Sequence, residues 1–151
     1  MALRAIALNC TLKPSPEISS TDVLLGELCD SLRKEGAKVG EPVRVVDLDI
    51  RPGVTSDEGD GDAWPEVRQQ ILDADILVVG TPVWMGQPSS VAKRVLERLD
   101  AFLGETDDAG RMISYDRVAV VAVVGNDVPT TSRPSSTRPS MTSDSPSPRA
   151  R

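Results

Sequence analysis

Hydroxyl groups gather in "NCTLKPSPEISST" (residues 9–21), where an apolar run gives way to a helix start. Thr11, Ser15, Ser19, Ser20 and Thr21 stand there beside backbone N–H groups that a helix leaves without intrahelical partners. Hydroxyls and orphan amides at the positive end of a helix dipole suit a phosphate monoester. The same residues also suit an ordinary capped loop. Lys13 reads either as extra charge for an anion or as a solvated lysine. Cys10 reads either as a thiol touching a phosphate or redox partner, or as a small buried hydrophobe. The stretch lacks G-x-G-x-x-G, which disfavours a standard dinucleotide site.

A second stretch, "TPVWMGQPSS" (81–90), directly follows a buried strand. Pro82 and Gly86 shape a turn there, and Trp84 and Met85 fall on the resulting loop. A flat aromatic ligand would use the loop's backbone along its edge and apolar atoms against its face. Alternatively, Trp84 packs on the protein's own surface or at a subunit interface. No histidine occurs among the 151 residues, and Cys10 and Cys29 have no C-x-x-C spacing. That argues against a zinc site and against Ser–His or Cys–His catalysis. An enzyme built on this chain would rely on a cofactor for its chemistry.

Charge narrows the classes further. The net charge is −6, and residues 127–151 hold four Arg against two Asp, which leaves −8 on residues 1–126. Non-specific nucleic-acid binding needs a basic face and is not expected. No apolar run reaches about 18 residues, and no leader or lipidation motif is visible, so the expectation is a cytoplasmic protein without a membrane segment. The acidic run "SDEGDGD" (56–62) lacks EF-hand spacing and reads as a solvated loop.

The elements that must position these loops alternate along the chain. Leu3–Asn9 reads as a buried strand. Leu24, Leu25, Leu28, Cys29 and Leu32 recur at helical spacing after a cap at Ser19, Ser20 or Thr21, which places Cys29 in the core. Val43–Ile50 reads as a second strand. A short helix follows, with Asp62 as cap and Pro65 in its first turn. Ile76–Gly80 is a strand with almost no polar residue. In the next helix Val91, Val95, Leu99, Phe102 and Leu103 form one stripe, and Lys93, Arg94, Glu97 and Arg98 face water. Arg117–Gly125 is the fourth strand. The order β-α-β-α-β-α-β implies a doubly wound parallel sheet whose ligands bind beyond the carboxyl ends of its strands.

Together, "ALNCTLKPSP…SSTDVLL" and "ADILVVGTPVWMGQPSSVAKRVLERLD" resemble the NADPH-dependent FMN reductase family from about Leu3 to Asn126. The resemblance implies an α/β, flavodoxin-like doubly wound sheet in the order 2-1-3-4, without the family's fifth strand and last helices. It places the FMN phosphate at Thr11, Ser19, Ser20 and Thr21, with Cys10 beside them. It lays the isoalloxazine ring along Pro82, Val83, Trp84, Met85 and Gly86. Of the third flavin loop only Gly125 and Asn126 remain. The implied activity is hydride transfer from NAD(P)H to FMN, then electron transfer to a small acceptor such as a quinone or flavin. A homodimer is also implied. A flavodoxin-type electron carrier is the alternative, compatible with the acidic charge. A non-functional fragment is a third reading.

The third reading rests on the last 25 residues, of which 20 are Ser, Pro, Thr or Arg. Such a string reads as a disordered tail (127–151) after an incomplete FMN-binding domain (1–126). It also matches the product of a one-base frameshift near Asn126 or Asp127 in a G+C-rich gene. Read one base out of frame from Val128, permitted codons spell a segment with helical apolar spacing, then one resembling the family's fifth-strand region. Uncovering about four or five large side chains, at ~1.5–3 kcal/mol each, would rival a domain's whole net stability of ~5–15 kcal/mol. The expectation is weak FMN binding or none, with "VAVVAVV" as an unprotected edge.

Overall fold

In the computed structural model, which describes residues 1–125, the apolar run near the amino terminus becomes strand β1 (Arg4–Asn9) at the middle of a parallel sheet. Helices cover it on both faces, which explains the near absence of polar side chains in it. On one side it pairs with two short strands, β2 (Lys38–Val39) and β3 (Val43–Arg44). On the other lies β4 (Ile76–Trp84), which pairs in turn with β6 (Val118–Val124). Counting β2 and β3 as one position, the order is the expected 2-1-3-4.

Helix α1 (Ser20–Lys34) covers one face, where Leu25 and Cys29 meet Ala7, Val78 and Ala122. Helices α2 (Trp64–Leu72) and α3 (Ser90–Leu99) cover the other, against Ile6, Leu8 and Val79. The α3 chain continues as a 3-10 turn, Asp100–Leu103. Cover thins toward the edge. Val118, Val121 and Val123 of β6 are all exposed, and among the described residues β6 pairs only with β4. No helix among the described residues is long and apolar enough to cross a membrane.

Several sequence expectations change in three dimensions. The second strand does not run from Val43 to Ile50. It ends at Arg44, and Val45–Asp47 turn into a 3-10 helix. Val45 and Ile50 are buried in the α2/α3 core, and Asp47 is drawn away to hydrogen-bond Ser15. The third strand, in contrast, does not stop at Gly80. Its partner β6 continues, with Thr81 opposite Val123 and Pro82 opposite Val124, so β4 stays extended to Trp84. Pro82 fits because β1 has ended at Asn9 and no neighbour on that side needs an N–H from it. Beyond Trp84 the chain makes a two-residue hairpin turn, with Met85 and Gly86 at φ 52° and 74°, into the antiparallel β5 (Gln87–Pro88). Positive φ at both central residues is the signature of a type I′ turn.

The third correction concerns Arg98, expected to face water. It is wholly buried, and its Nη2 lies 2.7 Å from Oδ2 of an equally buried Asp62. Asp62 sits in the acidic run read as a solvated loop. It accepts the N–H of Trp64 at 3.1 Å, but the cap position of α2 is held by Ala63, without a side-chain cap, and Asp62 stands one residue before it. Leu103, placed on the apolar stripe, is exposed instead, because the chain has left the α-helix by then.

Candidate functional site

The first candidate loop begins where β1 ends. Asn9 Oδ1 accepts the Thr11 N–H at 3.0 Å, which turns the chain out of the sheet. Ser19 is the cap of α1. Its hydroxyl accepts the Asp22 N–H at 3.2 Å, while Asp22 Oδ2 accepts the Ser19 N–H at 2.7 Å, forming a capping box. Ser20 and Thr21 are then the first helical residues, and their N–H groups have no intrahelical acceptor. Burial pushes the Asp22 carboxyl up, but hydrogen bonds from Ser19 and Arg44, with the Arg44 charge, hold it below the usual carboxylate range.

A second hydrogen-bond knot fixes the neighbouring strand. Ser89 caps α3, donates its hydroxyl to the Cys10 carbonyl at 2.6 Å, and accepts the Ala92 N–H at 3.0 Å. The Ser89 N–H in turn reaches Thr81 Oγ1 at 3.1 Å. Thr81 and Ser89 are buried, so these bonds tie the carboxyl ends of β1 and β4 to the start of α3 in a dry setting.

Between these fixed points lies a cleft of about 540 Å³. Thr11, Leu12 and Lys13 form its floor loop, and Ser19, Ser20 and Thr21 the helix-start wall. Pro82, Val83 and Trp84 form the opposite wall, and Val124 and Gly125 close one side at the end of β6. A Cβ on Gly125 would stand 2.9 Å from the Val83 Cβ, so only glycine allows β6 to approach β4 here. Lys13 Nζ donates to the Ile18 carbonyl at 3.2 Å, which keeps a cation on the loop.

Eight of the sequence-predicted site residues thus meet in one cleft: Thr11, Ser19, Ser20, Thr21, Pro82, Val83, Trp84 and Gly125. Met85 and Gly86 do not line it. They form the hairpin tip, where Met85 is 91 % exposed. Cys10 does not line it either. Its side chain is buried, its N–H donates to the Gly80 carbonyl at 2.8 Å, and burial pushes the thiol up to about 12. A neutral, enclosed thiol is a packing group and not a phosphate or redox contact. Asn126 lies outside the described residues. Leu12 and Val124 join the lining without having been singled out. Their only sequence signal was adjacency to the hydroxyl loop and the fourth strand.

Sequence reasoning also missed the residues that fasten the first loop from β3. Arg44 Nη1 donates to the carbonyls of Lys13 (3.0 Å) and Glu17 (2.7 Å), and Nη2 to Asp22 Oδ1 (2.5 Å). Asp47 accepts the Ser15 N–H at 2.9 Å and its hydroxyl at 2.5 Å. Nothing local marks Arg44 or Asp47 for this, since the parallel pairing of β3 with β1 is what brings them there. The arrangement offers a cluster of anion donors at one end of the cleft and an aromatic, largely apolar wall at the other. Among the described residues no cluster of His, Cys, Asp or Glu could hold a metal ion.

Known proteins bear the same pattern. Residues 3–142 match the family model described as NADPH-dependent FMN reductase. The chain is 35% identical over 136 residues to the 8-demethyl-8-aminoriboflavin-5'-phosphate synthase of Streptomyces davaonensis, covering 84% of this chain and 52% of that protein. It is 40% identical over 129 residues to a divalent metal cation transporter, MntH, of Mycobacterium bovis; the match covers 83% of this chain but 19% of that protein. Its fold superposes on the crystal structure of RosB with a bound intermediate, 8-demethyl-8-formylriboflavin-5'-phosphate. The TM-score is 0.75 and the identity 32%, over 86% of this chain and 55% of that one. The chain therefore spans about half or less of the length of these relatives. A parallel sheet with this strand order, a hydroxyl-lined helix start at its carboxyl end and a family match along nearly the whole sequence agree: the chain belongs to the NADPH-dependent FMN reductase family.

Proposed function

We propose that this protein binds FMN non-covalently and serves an NAD(P)H-dependent oxidoreductase reaction that delivers electrons to a small acceptor such as a quinone or a flavin. The observation that carries the reading is the cleft itself, in which anion donors at the start of α1 face the Pro82–Trp84 wall. The donor set suits the group. The N–H and hydroxyl groups of Ser20 and Thr21, with the Thr11 hydroxyl and Lys13, would hold the phosphate, as a helix N-terminus favours an anion. Ser19, whose N–H and hydroxyl are both given to Asp22, would fix the helix start beside it. Pro82, Val83 and Trp84 would lie along the ring, and Gly125 lets the end of β6 pack closely against Val83 beside them. Bound FMN would supply the hydride chemistry, so the chain's own part is to bind, orient and shield. Trp84, 57 % exposed, presents an aromatic surface where an acceptor could stack.

The test is titration of the purified protein with FMN, as written and with its reading frame restored, followed by NAD(P)H oxidation with free quinone as acceptor. The reading predicts saturable FMN binding and acceptor-dependent turnover in the restored form. A frame-restored protein that stays colourless after soaking in FMN overturns it. An electron carrier would bind FMN yet show almost no turnover without a partner reductase. A second reading has a specific observation behind it: the Streptomyces davaonensis relative is named as a synthase of a riboflavin phosphate, and RosB is described with a riboflavin phosphate bound as an intermediate. In that case the flavin is substrate, and mass spectrometry of released flavin would show an altered ring.

The Ser/Pro/Thr/Arg-rich stretch enters as part of this proposal. With a shifted frame behind it, the chain as written would hold FMN weakly, and restoring the frame would raise flavin occupancy. Equal occupancy in the two forms would overturn that part alone. A cytoplasmic homodimer completes the proposal, and light scattering of the FMN-loaded protein tests the dimer.

A further inference from the structure

The anion-binding end of the cleft contains a conflict that one side chain resolves. Asp22 stands at the third position of α1, within the turn whose first N–H groups would meet a phosphate. An unpaired carboxylate there would compete for the same amides and repel the ester's charge. It is not left unpaired. Asn9 Nδ2 and Arg44 Nη2 both donate to Oδ1 at 2.5 Å, and the Ser19 N–H and hydroxyl donate to Oδ2. The Arg44 and Asp22 side chains are 16% and 28% exposed, so the pair is only partly open to solvent. The same guanidinium also draws in the carbonyls of Lys13 and Glu17, fixing the two ends of the span whose middle residue, Ser15, is held by Asp47.

We infer that Arg44 is a positioning residue for phosphate recognition: it cancels the Asp22 charge and pins the 13–17 span, so that the helix-start donors are presented to a phosphate ester. The inference rests on the FMN reading above. It assigns a function to a residue outside the cleft, on a strand that contributes no wall to it.

Riboflavin carries the same ring as FMN without the phosphate, and comparing the two isolates this end of the site. In the full 151-residue chain, Arg44→Met should raise the Kd for FMN by about 10-fold or more and change that for riboflavin by less than about 2-fold. Adding Asp22→Asn to Arg44→Met should recover part of the FMN affinity, because the uncancelled charge is then gone. Arg44→Lys, which keeps the charge but loses the planar fork, should fall between. It serves as the deciding variant should Arg44→Met fail to fold by circular dichroism. Parallel weakening of FMN and riboflavin would make Arg44 merely structural and overturn the inference, as would unchanged FMN affinity. If neither the unsubstituted chain nor its frame-restored form binds FMN, the FMN reading itself falls and takes this inference with it; should only the restored form bind, the same variants are compared in that form. Normal binding with an unshifted FMN-to-riboflavin ratio in the variants sinks the inference alone.

Discussion

Two loops of this protein are fastened by the same chemistry and put it to opposite use. Residues 51–62 are gathered around Arg98, whose Nε and Nη1 donate to the carbonyls of Thr55 (3.0 Å) and Arg51 (2.9 Å). Its Nη2 is ion-paired with Asp62, and its guanidinium lies over the Trp64 ring, 5.6 Å from the centroid. Residues 13–17 are gathered around Arg44, which likewise takes two carbonyls and one aspartate. The Arg98–Asp62 pair is 0% exposed on both sides, whereas Arg44–Asp22 is partly open. In the sealed knot the arginine is turned wholly inward, onto two carbonyls and a buried carboxylate of the chain itself, so its product is rigidity. In the open one, Arg44 occupies the carbonyls and the carboxylate, and the N–H groups of Ser20 and Thr21 remain for a guest. The lesson is that an arginine–aspartate clamp says nothing of function until one knows which groups it leaves over.

That contrast can be broken most forcefully at the sealed knot. Arg98→Met leaves Asp62 buried and uncompensated and should cost about 3–5 kcal/mol in urea unfolding. FMN affinity per folded molecule should be unchanged, because the 51–62 loop contributes nothing to the cleft. A loss below about 1 kcal/mol, or a selective loss of FMN, would erase the distinction.

Acid should separate the two knots next. Burial pushes the Asp62 carboxyl up, but hydrogen bonds from Glu58, Arg98, Trp64 and Arg51 outweigh it and lower it to about 2. A depressed folded value means the stabilisation is complete above the unfolded value of 3.8 and is lost as pH falls toward about 2. Asp22 shifts in the same direction. Unfolding free energy measured against pH should therefore fall below about pH 4, and Asp62→Asn should flatten that slope. A slope identical with and without Asp62 would refute the assignment. The smallest effect belongs to the open loop. Ser19→Ala removes the α1 cap and should cost about 1 kcal/mol in chemical denaturation. A neutral result would mean that Asp22 and Arg44 hold the helix start without it.

Much of this was readable in one dimension. The period of the apolar residues marked β1, α1 and α3, because a strand or helix that buries one face must repeat at its own pitch. Ser19 and Pro65 announced helix starts, because capping and first-turn preferences are settled within four residues of chain. The cleft's two walls could be located too, since parallel βαβ units leave their loops at the carboxyl edge. Arg98 was misread because its helical position looks solvent-facing beside Lys93 and Glu97, and its partner Asp62 belongs to another element. Strand β4 was cut short because Pro82 and Gly86 resemble a turn until β6 is seen alongside. Cys10 was drawn into the site by adjacency to Thr11, though the next residue in an extended chain points the other way.

The sequence alone determined which segments are strands and helices, their order in the sheet, and that hydroxyls and an aromatic wall would stand at its carboxyl edge. The tertiary structure decided which charges are sealed, which strand ends early, which runs on, and that Arg44 and Asp47 would hold a loop far from them in the chain. The reason is physical: periodicity and capping are short-range and written locally, whereas burial and ion pairing depend on which distant segments the sheet brings together.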